Sequence, residues 1–333
     1  MVKCQKVLNL KNLLLVCTVL IWYNTICNVN KSYTNVGPAP TASLQLHKKL
    51  LNSDLPSSQT DFKLQLKDLF MTVKTTHMNY ETRIPLLLKT WCKAKVQEQV
   101  YFVTDKDDEN LQKATGNHLV PTKCGETHGK PDLCCKTGVE FDIFYFKSTA
   151  KWWCHFDDDT YVNIDRLLEY LETLNWKKPH YTGGDHGSDH RFKTKFLGRL
   201  YYAGYLTGSV RCLSRSLAHL MQPFLGQGAL VEFCEQTNKP DDILMGVLIN
   251  GILNVTMTRS NLFHDHTFGQ SFSDIKPEEW KSQISFSYSK YSNSNKGVNF
   301  GDGIEPAFDH REDKTRLLSI HCHLHPTDKI CPK

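Results

Sequence analysis

An α/β fold built on a largely parallel sheet is what this sequence predicts, and three observations carry it. Leu69, Phe70, Met71, Thr72 and Val73 make a short buried-strand run. Arg83 to Ala94 follows with Ile84, Leu86, Leu87, Leu88 and Trp91 at helical spacing, and Val100 to Thr104 makes a second strand. Next, Lys151 to Phe156 is an apolar strand that runs straight into Asp157, Asp158 and Asp159. Finally, Ile164, Leu167, Leu168, Leu171 and Leu174 resume helical spacing, with Asn163 placed as the amino-terminal cap. Strands alternating with helices imply parallel pairing, and ligands of such sheets sit at the strands' carboxyl ends. The three carboxylates fall at such an end.

The chain has 333 residues and 40% hydrophobic content, enough for one large or two small domains with a substantial core. Of the net charge of +5, Lys3, Lys6 and Lys11 supply three, so the remainder is close to neutral. That balance argues against a nucleic-acid partner, which needs clustered cations to neutralise phosphates.

Those lysines precede Leu13 to Tyr23, an apolar run. The stretch 7–27 is read as a signal-anchor, with Trp22 and Tyr23 suited to a membrane interface, in preference to a cleaved signal peptide. Residues 1–6 are then a cytosolic tail, and the rest is lumenal, with the Golgi membrane as the expected site. Residues 28–62 are polar and aperiodic, as expected of a stem, which leaves 63–333 as the folded domain. Of twelve cysteines, Cys4, Cys17 and Cys27 lie in or beside the anchor, so an odd number remains for the lumenal part. Disulfides with at least one unpaired thiol are expected. Asn254-Val255-Thr256 and Asn30-Lys31-Ser32 are glycosylation sequons.

Three adjacent carboxylates repel one another unless a cation neutralises them, and hard oxygen ligands suit Mg²⁺ or Mn²⁺. The threonine directly after Asp159 leaves the phosphatase pattern D-x-D-x-T unsatisfied. Lys239-Pro240-Asp241-Asp242 opens a second helical pattern through Ile243, Leu244, Val247, Leu248 and Ile252. Its carboxylates either complement the helix dipole or supply a general base. Phe263-His264-Asp265-His266 follows a strand expected at Val255 to Thr258, and its histidines are candidate metal ligands. In the tail, His321-Cys322-His323 has the look of a zinc site, but Cys331 makes a disulfide loop the preferred reading.

Several of these segments occur in a familiar order: Val73-Lys74-Thr75-Thr76, Arg83 before Leu86-Leu87-Leu88-Lys89-Thr90-Trp91, Phe102-Val103-Thr104-Asp105, Lys151 to Asp159, Pro240-Asp241-Asp242, Leu262 to His266 and Ser319 to Leu324. The chain from about 65 to 333 resembles the Fringe family, the O-fucosylpeptide 3-β-N-acetylglucosaminyltransferases. The resemblance implies a GT-A glycosyltransferase fold, UDP-N-acetylglucosamine (UDP-GlcNAc) as donor and Mn²⁺ as cofactor. It also implies O-linked fucose on EGF-like repeats of Notch-type receptors and ligands as acceptor. By position, Asp242 would be the base, with Asp241 able to exchange roles. Asp159 and His266 would bind the metal, and Arg83, Asp158 and the neighbouring Asp157 would contact the donor. The resemblance further implies disulfides Cys124 to Cys135, Cys154 to Cys212 and Cys322 to Cys331, leaving Cys92, Cys134 and Cys234 unassigned.

Two departures bear on specificity. Where the family carries a small Gly-Gly-Ala-Gly run before Phe-Cys, this chain has Thr207-Gly208-Ser209-Val210-Arg211-Cys212, and the lysine expected after Gly184 is Asp185. Bulk at 210 and 211 is expected to alter the approach of backbone to ligand. The readings that compete with a Fringe-type enzyme are a related β-1,3-glycosyltransferase with another donor or acceptor, a catalytically weak lumenal glycan-binding protein, and a metal-dependent hydrolase.

Overall fold

The structure is a computed structural model that describes residues 63–127, 129–184, 192–196, 199–206, 208–264, 275–287, 306–309 and 311–333. These fall in one compact unit, Lys49–Lys333. The expected tail, anchor and stem, the Asn30 sequon, Asp185 and His266 lie outside the described residues. Among the described residues no helix is long and apolar enough to cross a membrane.

The core is a seven-stranded mixed sheet. Four strands, β1 (Leu69–Lys74), β2 (Val100–Thr104), β3 (Leu119–Pro121) and β4 (Trp152–Asp157), pair in parallel in the order β4-β1-β2-β3, with β3 at the edge. Beyond β4 lie β9 (Val210–Ser214), antiparallel to both its neighbours, then β6 (Tyr181–Gly184) and β10 (Met257–Ser260). Two small antiparallel pairs flank it: β5 (Thr160–Val162) with β11 (Ser285–Ser287), and β7 (Phe192–Phe196) with β8 (Arg199–Ala203).

Parallel strands covered on both faces should be apolar throughout, and every residue of β1 is buried. The two faces nonetheless differ. Leu69, Met71, Val73, Trp152, Cys154 and Phe156 join the principal core cluster together with Trp91. On the other face lies α3 (Lys130–Lys147), whose character changes along its length. Phe141 and Phe144 meet Phe70 and Trp153 near the start of β1 and β4. Toward the strands' carboxyl ends, Thr137 and Glu140 meet Thr72, His155 and Arg211. Alternation of side chains places these polar groups on one face, and the register aligns Thr72 with His155 and His155 with Arg211. The sheet is therefore greasy at one end and hydrogen-bonded at the other.

The short α1 (Ile84–Lys89) and α2 (Glu109–Ala114) flank β2, and α4 (Ile164–Glu172) follows β5. Asn163 caps α4 as expected, its side chain accepting from Arg166 N. Then come α5 (Arg215–Leu225), α6 (Ala229–Thr237), α7 (Asp241–Gly246) and α8 (Leu317–Leu324).

Two boundaries differ from the sequence reading. The helix expected over Arg83 to Ala94 stops at Lys89, because Thr90 leaves helical geometry (φ −106°, ψ −106°) with its Oγ1 donating to Leu86 O, and after left-handed Ala94 (φ 50°) the chain continues as a 3-10 turn, Ala94–Gln99. The strand expected from Val255 begins at Met257. Asn254, exposed and left-handed (φ 53°), turns the chain there, and Val255 N still bonds Ile249 O. The three expected disulfides form, and a fourth joins two of the unassigned cysteines, Cys134 of α3 and Cys234 of α6. Cys92 remains a buried thiol whose pKa is raised by burial.

Candidate functional site

The acidic triplet occupies the end of β4 and the turn into β5. Asp158 and Asp159 are buried. Arg83, at the start of α1, answers their repulsion: its Nη1 donates to Asp158 Oδ1 and lies 3.1 Å from Asp159 Oδ2. Asp158 Oδ2 accepts from Thr75 Oγ1 at 2.7 Å and from Asn79 Nδ2 at 2.8 Å. Asp157 is more open, with Oδ1 3.5 Å from His155 Nε2. The protein thus supplies a cation of its own to carboxylates that the sequence alone leaves to a metal.

The acid pair begins α7, and its two members differ sharply. Asp241 is buried, and its Oδ2 accepts from Lys74 Nζ at 2.8 Å, Arg211 Nη2 at 2.7 Å and Thr137 Oγ1 at 2.6 Å. Burial alone would raise its pKa, but Lys74 and Arg211 outweigh that and hold the carboxyl well below its usual range. Asp242 is only half-buried. Its Oδ1 accepts from Ile243 N at 2.7 Å, and its Oδ2 points toward Gly208, where an added Cβ would lie 3.4 Å away. Burial first, and the Asp241 charge second, push its pKa up to about 6. One carboxylate is locked as an anion and its neighbour is poised near neutrality, the arrangement that assigns acid and base roles to paired carboxyls.

The triplet and the pair meet at consecutive residues. Lys74, the last residue of β1, bonds Asp241, and Thr75 bonds Asp158. Beside them, buried Lys136 of α3 donates to Thr75 O at 3.0 Å and lies 3.9 Å from Asp105 Oδ2. Asp105 directly follows β2 and accepts from His77 N at 2.8 Å and Thr76 Oγ1 at 2.9 Å. Despite desolvation, those bonds and Lys136 hold its pKa well below the usual range.

Carboxylate oxygens of the triplet fit a hard divalent cation in kind. Of the two expected metal ligands, Asp159 is described and His266 is not. Among the described residues, His77, Asp105 and Glu126 also bring three ligand atoms within 4.8 Å. Lys106 already places its ammonium there, 3.1 Å from Glu126 and 3.3 Å from His77, which makes that group an ion-paired cluster. In the tail, Cys322 pairs with Cys331 and His321 Nδ1 bonds Tyr161 Oη at 2.9 Å, so the disulfide reading holds.

A Fringe-like family model matches residues 64–328, spanning both carboxylate clusters. The chain belongs to the Fringe family. It is 33% identical over 332 residues to the Fringe glycosyltransferase of Drosophila melanogaster, covering 95% of this chain and 78% of that protein. It is 34% identical over 289 residues to the β-1,3-N-acetylglucosaminyltransferase lunatic fringe of Danio rerio, covering 84% and 75%. Among solved structures, a glycosyltransferase of Streptococcus pneumoniae is a distant match, 10% identical with a TM-score of 0.37, over 58% of this chain and 45% of that one.

Within this Fringe-family domain, Arg83, Asp158 and Asp159 come together, as do Asp241 and Asp242. The bulk expected at positions 210 and 211 turns inward instead: Val210 is buried in the sheet and Arg211 is 3% exposed beneath it. Lys74, Lys136, Thr137 and Glu140 escaped sequence reasoning as functional residues. A lysine closing a buried strand, and a Lys-Glu pair four apart on a helix face that also carries Phe144, were the available signals.

Proposed function

We propose that this chain transfers N-acetylglucosamine from UDP-GlcNAc to the 3-hydroxyl of O-linked fucose on EGF-like repeats of Notch-type receptors and ligands. The transfer takes place in the Golgi lumen, with residues 7–27 as the anchor. The observation that carries the reading is the half-buried Asp242, with its pKa raised to about 6, on the helix whose Asp241 bonds Lys74, next to the Thr75 that bonds Asp158 of the acidic triplet. A sugar hydroxyl is a weak nucleophile at neutral pH, and a carboxylate near that pKa removes its proton as the oxygen attacks. Single displacement inverts the anomeric centre: the fucose oxygen forms the new bond while the bond to UDP breaks and UDP leaves with the electron pair.

Asp241 keeps its own charge through Lys74 and Arg211 and so sustains the raised pKa of Asp242. Asp159 and His266 would hold Mn²⁺, which when bound supplies countercharge for the leaving diphosphate. Arg83, already bridging Asp158 and Asp159, stands where it can orient the donor, with Asp157 at the more open edge.

The test is transfer from a panel of UDP-sugars to a folded EGF-like repeat with and without O-fucose, with and without Mn²⁺. Selective, Mn²⁺-dependent use of UDP-GlcNAc on the fucosylated repeat is expected. Transfer of another sugar, or to the unfucosylated repeat, would overturn the donor or acceptor assignment. An Asp242→Asn protein is expected to bind UDP and lose transfer by about a hundredfold or more.

A further inference from the structure

We propose that Arg211 is a positioning residue for the base, clamping the two walls between which the Asp242 carboxylate lies; the inference rests on Asp242 being that base. Arg211 projects from near the start of β9, in register with His155 on one side and Gly183 on the other. A guanidinium buried to this depth is costly unless its donors are matched. Nη2 donates to Asp241 Oδ2 at 2.7 Å and approaches Thr137 Oγ1 at 3.3 Å, while Nη1 donates to Gly208 O at 2.7 Å.

Those two acceptors bracket the base. Asp241 immediately precedes Asp242 on α7, and Gly208 is the residue toward which Asp242 Oδ2 points. Asp241 already has Lys74 as a counterion, so neutralisation alone does not call for a second cation. What Arg211 adds is geometry: one rigid planar group fixes the distance between the start of α7 and the loop entering β9. A lysine, with a single nitrogen on a flexible stem, could reach only one of the two walls.

The charged and titratable groups facing Asp242 are Asp241 on its own helix, Arg211 from β9, Lys74 from β1 and Tyr181 from β6. Removing the guanidinium charge therefore moves the acid limb of transfer to higher pH, whereas a lysine that keeps the charge leaves it in place. Arg211→Met and Arg211→Lys are compared with the parent chain for folding, donor KM, kcat and the pH dependence of kcat/KM. For Arg211→Lys we expect kcat to fall by about tenfold at unchanged donor KM and unchanged acid limb. For Arg211→Met we expect the same loss with the limb displaced upward. Should Arg211→Met fail to fold, Arg211→Lys decides. Parental kcat in folded Arg211→Lys, or a loss confined to donor KM, overturns the inference. Asp242→Asn is run alongside: if it keeps transfer, the base assignment has failed. If it is inactive while Arg211→Lys is parental, only the role of Arg211 has failed.

Discussion

Lys74 Nζ stands 2.8 Å from Asp241 Oδ2, and this contact fastens an inner strand of the sheet, β1, to the helix that carries the proposed base. Because Asp241 also takes Arg211, replacing it by Asn leaves two buried cations without their anion. That should destabilise the fold by about 3 kcal/mol in urea titrations at pH 7. The depressed pKa of Asp241 fixes the pH dependence: its contribution is complete above an unfolded value of about 4 and is lost as pH falls from there toward the folded value. Asp241→Asn should therefore show a shallower acid decline of stability than the parent.

Asp242 should behave in the opposite sense. Its folded pKa of about 6 lies above the unfolded value, so its ionisation opposes folding above pH 6 and ceases to do so below about pH 4. Asp242→Asn is expected to raise stability at pH 8 by on the order of 2 kcal/mol while abolishing transfer. In the parent, kcat/KM should fall as pH drops through about 6. A destabilised Asp242→Asn would show that the carboxylate is held by partners and is not poised as a base.

How far the sequence reached follows from the range of the interactions involved. β1, β2 and β4 were legible because strands buried on both faces are nearly continuous apolar runs, and Asn163 was legible because capping is local. The triplet and the pair were legible as clusters of charge at element ends. The division of labour between Asp241 and Asp242 was not, since it depends on Lys74, Thr137 and Arg211, brought together from β1, α3 and β9. The inward turn of Arg211 is likewise a matter of strand register, which spacing along the chain does not reveal. Local backbone conformation accounts for the misplaced ends: non-helical Thr90 and left-handed Asn254 cut elements short where apolar periodicity ran on.

The Cys134–Cys234 disulfide closes a loop of 100 residues and joins α3, which supplies Thr137 and Glu140, to α6 just ahead of the base. On chain-entropy grounds its removal should cost about 3–5 kcal/mol. Cys134→Ser with Cys234→Ser is expected to lower the melting temperature markedly. Removing the Cys322–Cys331 link, which closes only 9 residues, should cost less. Equal losses for the two pairs would argue that native packing, and not loop length, governs both.

Gly246 closes α7 where the helix crosses the end of β8. A Cβ there would meet Gly204 O at 2.2 Å and Tyr205 Cβ at 2.7 Å, and since the nearest of these is backbone, the helix itself must move. Gly246→Ala is therefore expected to destabilise by about 1–3 kcal/mol even though alanine is the better helix former, because overpacking outweighs propensity. The same displacement would carry Asp241 and Asp242 with it, loosening the contacts to Lys74 and Arg211. Transfer by the folded fraction should then fall in kcat more than in donor KM. Hydrogen exchange at Ile243 to Val247 would report the shift directly, and unchanged protection there in a variant with impaired transfer would separate the catalytic loss from movement of this helix.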